Sequence, residues 1–257
     1  MEKLILLDTE TTGVNPEDRI ISLALKEFWE GKQILYELFS IGDMKIPLEA
    51  MSVNNITNKM LEGKRPLSDY KDFIETYLKD SVIIAHNAKF DINMLKNERL
   101  NLPLNNEGDI NQICTLKVAQ NVIPWLPQYK LNYLRYYFEL EWDFHNHNAK
   151  DDVLILEGIF IKLLEKVKEF YKIEGNSEEE ILTKTIEKMK EISSSIQYLE
   201  IFPFWKHKWL KLIDIPDDYL FWTIEQDFIK ENKNETLYYS VKREIRVRHW
   251  NEIADKY

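Results

Sequence analysis

Lys3-Leu4-Ile5-Leu6-Leu7-Asp8-Thr9-Glu10-Thr11-Thr12-Gly13 is the stretch that decides how the rest of the chain is read. An apolar run of strand length delivers two carboxylates spaced by two, and a Thr-Thr-Gly turn follows. Side chains on a strand alternate faces, so Asp8 and Glu10 point the same way. Two like charges held side by side repel unless a cation lies between them. The spacing points to a divalent cation bound through oxygen, the donor that hard ions require. The same residues also fit a solvated strand end, and this segment alone leaves both readings open.

The 257 residues suffice for one large domain, or a medium domain with a small appendage. With 44% hydrophobic and 12% aromatic residues a packed core is expected, and general disorder is not. A net charge of −10 argues against coating of nucleic acid by a broadly basic surface, but leaves room for a local basic patch beside an acidic metal site. The single cysteine, Cys114, excludes an intramolecular disulfide and fits a reducing compartment. No apolar run has membrane-spanning length, and Asp8 and Glu10 come too early for a signal peptide. A cytoplasmic location without membrane partners is expected.

Working outward from the first strand, Ile20–Trp29 and Gln33–Ile41 read as further strands around a turn at Glu30-Gly31-Lys32. Ser81–Ala85 reads as a buried strand, while Thr57–Leu61, Tyr70–Leu78, Asp91–Leu100, Ile113–Gln120 and Leu131–Leu140 read as helices. A long helix starts near Asp151. This order predicts an α/β fold, a mixed sheet with helices on its faces. Ser177-Glu178-Glu179-Glu180 opens a connector helix in capping-box spacing. Beyond Gln197 the composition turns aromatic and basic, and a small α+β module is expected. The expected division is 1–172, a connector over 173–197 and a module over 198–257.

Two further segments repeat the pairing of a polar loop with an acidic helix start. In His86-Asn87-Ala88-Lys89-Phe90-Asp91 the aspartate fits an N-cap as well as a ligand. In His147-Asn148-Ala149-Lys150-Asp151-Asp152 a histidine precedes two aspartates, and nearby His145 shows that position alone does not single one out.

Taken in order, the three segments resemble the motifs of DEDDh 3′→5′ exonucleases, the superfamily of replicative proofreading subunits. Glu49–Thr57 and Ile113–Ala119 resemble stretches of its exonuclease X-like branch. The resemblance covers about residues 1–165 and implies an RNase H-like fold. It implies that Asp8, Glu10 and Asp152 hold one Mg²⁺, with Asp8 bridging to a second that Asp91 helps position; Mn²⁺ can substitute. The resemblance prefers Asp152 to Asp151, because the family's motif places the aspartate five positions after the histidine, here His147, with an apolar residue next, here Val153. His147 would be the general base, its ordinary pKa of about 6.5 suiting proton abstraction. Two metals roughly 3.5–4 Å apart stabilise the attacking and leaving oxygens of an in-line displacement.

Thr11, Thr12, Gly13, Asn54, Ile56, Asn87 and Phe90 are the candidate substrate contacts, though turn and core roles fit several of them equally. Asn54 departs from the family, which usually has histidine there. The implied activity is release of nucleoside 5′-monophosphates from DNA 3′ ends, in repair or proofreading. RNA 3′-end trimming is the alternative, and a non-catalytic nucleic-acid-binding or polymerase-docking subunit a third reading. Residues Phe202–Tyr219 resemble the small module appended to exonuclease X-like proteins, which usually reads Phe-Gly-Lys-His-Lys-Gly. Here Trp205 and Trp209 occupy both glycine positions. A positive φ at either would strain a bulky residue. The tryptophans either fill the module's core or, with Lys206, Lys208, Lys242, Arg243, Arg246 and Arg248, form a stacking and phosphate-binding surface.

Overall fold

β1 (Lys3–Thr11) is the strand that the opening motif predicts, and it lies at the centre of a five-stranded sheet. The computed structural model describes residues 2–28, 33–140, 149–230 and 234–249. β1 pairs antiparallel with β2 (Ile20–Glu27), which pairs antiparallel with β3 (Gln33–Leu38). On its other side β1 runs parallel to β4 (Ser81–Ala85), and β4 parallel to β5 (Gln112–Cys114). The order β3-β2-β1-β4-β5 thus changes from antiparallel to parallel at β1. The expected turn at Glu30-Gly31-Lys32 lies outside the described residues.

The helices are α1 (Leu48–Asn54), α2 (Lys71–Leu78), α3 (Ala88–Asn97), α4 (Thr115–Val122), α5 (Leu131–Tyr137), α6 (Ala149–Tyr171), α7 (Glu178–Ser194), α8 (Asp217–Glu225) and α9 (Glu235–Arg248). On one sheet face Ile5, Leu7, Leu23, Leu25 and Ile83 pack with Ile74 and Leu78 of α2 and Met94 and Leu95 of α3. α6 packs against β1 and β2, burying Val153, Leu156, Ile159, Phe160, Leu163 and Val167 at helical spacing. Lys26 of β2, 5% exposed, is held by Glu157 of α6 at 2.5 Å. A charge so buried is tolerated because it is paired.

Two expected elements differ in kind. Thr57–Leu61 forms a 3₁₀ turn, Asn58–Leu61, rather than an α-helix. The helix expected over Tyr70–Leu78 forms as α2, with a 3₁₀ turn, Leu67–Tyr70, leading into it. Ile113-Cys114 belongs to β5 rather than to a helix running to Gln120, and α4 begins only at Thr115. The strand is decided by pairing with Ile84 and Ala85, some thirty positions away, and not by local periodicity. At α7 the serine half of the capping box forms, Ser177 Oγ accepting from Glu180 N at 3.1 Å, while the Glu180 carboxylate accepts from Asn176 N at 2.8 Å, one residue before the N-cap.

The described residues cluster into two compact units, one reaching Leu116 and resuming over Lys130–Lys190, the other taking Lys117–Tyr129 and residues from Glu191 onward. These boundaries run through α4 and α7. The polar groups of α4 explain its assignment: Lys117 bonds Ser195 O and Glu235, Asn121 bonds Gln197, and Gln120 accepts from Thr236.

The second unit's core comprises Phe202, Leu212, Ile215, Leu220, Ile224, Ile229, Leu237, Val241 and Ile245. The β component expected of the module reduces, among the described residues, to one bridge, Ile201↔Lys211. Pro203, two positions beyond Ile201, has no N–H to donate and cannot extend the ladder. Trp205 and Trp209 stay outside the core, 52% and 48% exposed. Both adopt left-handed backbone, with φ of +47° and +75°. That conformation costs an L-residue with a Cβ roughly 1–2 kcal/mol. Arg248, expected on a phosphate-binding surface, instead braces the module: its guanidinium donates to the carbonyls of Leu212, Ile213 and Ile215 and to Asp217 and Glu244.

Candidate active site

Alternation along β1 puts Leu4, Leu6, Asp8 and Glu10 on one face and Ile5, Leu7 and Thr9 on the other. The apolar members are fully buried and anchor the strand. Asp8 and Glu10 therefore stand where the buried run ends. A bulge between Glu10 and Thr11 breaks the register with β2 at this point. Bulges commonly re-aim side chains beside functional sites. The first turn of α6 supplies Asp152, and carboxylate oxygens of Asp8, Glu10 and Asp152 lie within 4.8 Å of one another. Asp152, rather than its neighbour Asp151, completes this trio.

Asp91 reaches the site from α3, on the opposite side of the sheet, and is 3% exposed. Its Oδ1 accepts two hydrogen bonds from Thr9, from N–H at 3.1 Å and from Oγ1 at 2.8 Å. The residue between the two motif carboxylates thus tethers the fourth acid through its opposite-facing side chain. Strand alternation sets Thr9 apart from Asp8 and Glu10, and for that reason the sequence reading passes over it.

The four acids burden one another. Burial, then the charges of Asp91, Asp152 and Glu10, hold the Asp8 carboxyl well above the usual carboxylate range. Burial followed by Asp152 and Asp91 pushes Glu10 up to about 8. Burial raises Asp91 to about 7, against the hydrogen bonds from Thr9 that favour its ionised form. Among the described residues no cation is hydrogen-bonded to Asp8, Glu10 or Asp91. Ser22, paired with Glu10 across the β1–β2 ladder and so on its face, is 1% exposed, and its hydroxyl has no partner among the described residues. An all-oxygen, like-charged, partly desolvated cluster with an orphaned hydroxyl beside it fits a hard divalent cation, magnesium or manganese. The site also lies at the carboxyl ends of parallel strands, beside the strand where pairing direction changes, a usual position for ligands in open α/β sheets.

The remaining candidates separate by what their polar groups already do. Thr11 Oγ1 donates to Gly13 O at 2.6 Å, and Thr12 Oγ1 donates to Asp18 at 2.8 Å. A Cβ on Gly13 would lie 2.4 Å from the Asp18 carboxylate, so the close approach requires glycine. These three residues build the turn after β1. Asn54 is 3% exposed and its amide is spent at both ends, donating to Thr11 O at 3.2 Å and accepting from Ile56 N at 2.9 Å. It braces the carboxylate-bearing end of β1 against α1. Ile56 belongs to a small core with Ile21, Ile41, Ile46 and Leu61, and Phe90 packs partly buried against the main core. Asn87 is exposed, with left-handed backbone at φ +62°, and its side chain caps nothing. His147 lies outside the described residues.

Residues 5–160 match the family model described as Exonuclease. The DNA polymerase III subunit epsilon of Treponema pallidum is 32% identical over 162 residues, which cover 61% of this chain and 74% of that protein. The PolC-type DNA polymerase III of Caldanaerobacter subterraneus subsp. tengcongensis is 28% identical over 170 residues, covering 65% of this chain and only 12% of the polymerase. Among solved structures, exonuclease X in complex with 5′ overhanging duplex DNA is similar at a TM-score of 0.51 and 25% identity, covering 71% of this chain and 99% of that one. E. coli exonuclease I in complex with a dA16 oligonucleotide shares the fold at a TM-score of 0.52 and 17% identity, over 67% of this chain and 42% of that one. The mixed sheet flanked by helices is the RNase H-like arrangement of these exonucleases.

Proposed function

The chain belongs to the exonuclease family that it matches over residues 5–160, and from that premise we propose that it is a metal-dependent 3′→5′ exonuclease releasing nucleoside 5′-monophosphates from DNA ends. The observation that carries the reading is the convergence of Asp8, Glu10 and Asp152 within 4.8 Å, with Asp91 tethered beside them by Thr9. In this reading Asp8, Glu10 and Asp152 hold one divalent ion, and Asp8 and Asp91 face a second. When bound, the ions supply the positive charge that stabilises the attacking and leaving oxygens of phosphodiester hydrolysis. Thr9 orients Asp91, and its two hydrogen bonds favour the ionised form against the effect of burial. In this reading His147, five residues before Asp152 in the sequence, takes the proton of the attacking water. The division into a catalytic domain over 1–172, a connector and a C-terminal module belongs to the same reading, as does a role in DNA repair or proofreading. No helix among the described residues is long and apolar enough to cross a membrane.

The test uses 5′-labelled single-stranded DNA and RNA of equal sequence, each with Mg²⁺, Mn²⁺ or EDTA. Mononucleotide release from the DNA 3′ end, absent in EDTA and strongly reduced in His147→Ala, is expected. Faster release from RNA would move the assignment to RNA trimming. Full activity in EDTA would remove the metal mechanism.

A further inference from the structure

The feature that catalysis leaves unused is the loop Trp205–Lys211. Two tryptophans there hold left-handed backbone while their rings remain about half exposed. Strain in a core is offset by burial, and here it is not; an unfavourable backbone that presents a side chain to solvent points to function. The Trp205 ring meets Trp222 of α8 at 5.4 Å and Phe228 at 4.7 Å. Trp222 in turn meets Tyr219, whose ring stacks edge-on against His207 at 4.4 Å. Trp222 is itself 43% exposed, so adjoining aromatic surface lies open to water.

Charge selects the occupant. In a chain of net charge −10, residues 201–213 contain Lys206, Lys208 and Lys211 and no carboxylate. All three lysines are exposed, and none enters an ion pair among the described residues. Lys208 Nζ sits over the Trp209 ring, 4.2 Å from its centre. Asp217, at the start of α8, is paired with the Arg248 guanidinium and lies 3.0 Å from His249 Nε2. Interleaved aromatic faces and unpaired lysines are the chemistry that stacks unpaired bases and tracks their phosphates. A helical or extended peptide would need no such alternation of ring and cation.

We propose that the Trp205–Lys211 loop, with Trp222, is a binding platform for single-stranded nucleic acid, distinct from the catalytic carboxylates. The choice of polymer rests on the nuclease reading; the platform's geometry does not. Binding is sequence-tolerant, because every base offers a face, and depends on salt through the lysines.

The experiment uses the full chain carrying Asp8→Ala, in EDTA, with a fluorescein-labelled oligothymidylate of about sixteen nucleotides, the upper range of such sites. Glycine suits a positive φ, so Trp205→Gly/Trp209→Gly removes the rings while easing the backbone. We expect it to weaken binding at least tenfold and to abolish most tryptophan quenching by the oligonucleotide, with the melting temperature kept. Lys206→Glu/Lys208→Glu provides a second arm: affinity falls and the slope of log affinity against log salt shrinks by about two. Unchanged affinity in both variants overturns the proposal and leaves a protein partner as the occupant. Because no metal and no cleavage enter the measurement, failure of the nuclease reading would show only in the separate mononucleotide-release assay on the unmutated chain.

Discussion

The end of β1 and the loop at Trp205–Trp209 both hold the chain where it would not rest by itself, and for different reasons. At β1 the penalty is electrostatic: Asp8, Glu10, Asp91 and Asp152 crowd one another in a site largely shut off from water. At the loop it is conformational, with two bulky residues in backbone that suits glycine. A cation relieves the first without any change of sequence, whereas only a change of residue relieves the second. An electrostatic penalty that a cation would relieve is therefore the mark of a candidate ion site. A backbone penalty on exposed rings marks side chains kept for what they touch.

The strongest way to break this comparison is to remove a carboxylate. Asp8→Ala should cost about a thousandfold or more in turnover, since several kcal/mol of transition-state stabilisation pass through the ions it holds. The metal-free protein should nevertheless melt no lower, because a repulsive charge has gone. Near-normal turnover in a mononucleotide-release assay would deny the site its function.

Acidity gives the next largest effect. Glu10 titrates at about 8 in the fold against an ordinary value near 4.5, and Asp91 at about 7 against 3.8. For an acid whose folded pKa is raised, the ionised form is disfavoured in the native state. The fold thus suffers no penalty below the unfolded values and loses stability as pH rises toward the folded ones. In EDTA the melting temperature should fall between pH 5 and 8, by an amount on the order of a few kcal/mol in stability. Glu10→Gln should flatten that slope. A melting curve independent of pH across this range would show that the acids are not coupled to folding.

Metal should reverse the loss. At a hundredfold excess over its dissociation constant, Mg²⁺ or Mn²⁺ should stabilise the protein by about 2.7 kcal/mol, measured by thermal denaturation. Asp152→Asn should weaken that response. Equal stabilisation in the variant would place the ion elsewhere.

Smaller effects sharpen the two regions separately. Thr9→Val removes one of the two hydrogen bonds to Asp91 and leaves the backbone donor. A bond to a charged group is worth about 1.5–3 kcal/mol. Turnover should therefore drop about tenfold, with Thr9→Ser restoring most of it, in the same release assay. Trp209→Gly relieves roughly 1–2 kcal/mol of backbone strain but adds about 0.5–1 kcal/mol of unfolded-chain entropy. Its denaturant midpoint should stay level or rise slightly; a fall of more than about 2 kcal/mol would mean that the ring is structural.

Local pattern made much of this legible. β4 runs over Ser81–Ala85 as the apolar run predicts, and the buried face of α6 follows from its 3.6-residue period. The family resemblance, through the spacing of its histidine and aspartate, chose Asp152 over Asp151, and carboxylate oxygens of Asp152, Asp8 and Glu10 lie together. β5 was not legible, because Gln112–Cys114 is too short to carry a period of its own. Nor could the readings of Asn54, Thr11 and Thr12 be separated before their hydrogen bonds were known.

By itself the amino-acid sequence determined which acids the chain brings to its first and last core elements, since alternation and motif spacing are local properties. It also marked Trp205 and Trp209 as misplaced for the module they resemble. Only the tertiary structure decided that Thr9 holds Asp91 across 82 positions, that Arg248 is an internal brace, and that both tryptophans are strained yet exposed. Each of those depends on which distant backbone arrives beside a side chain, and no local period records that.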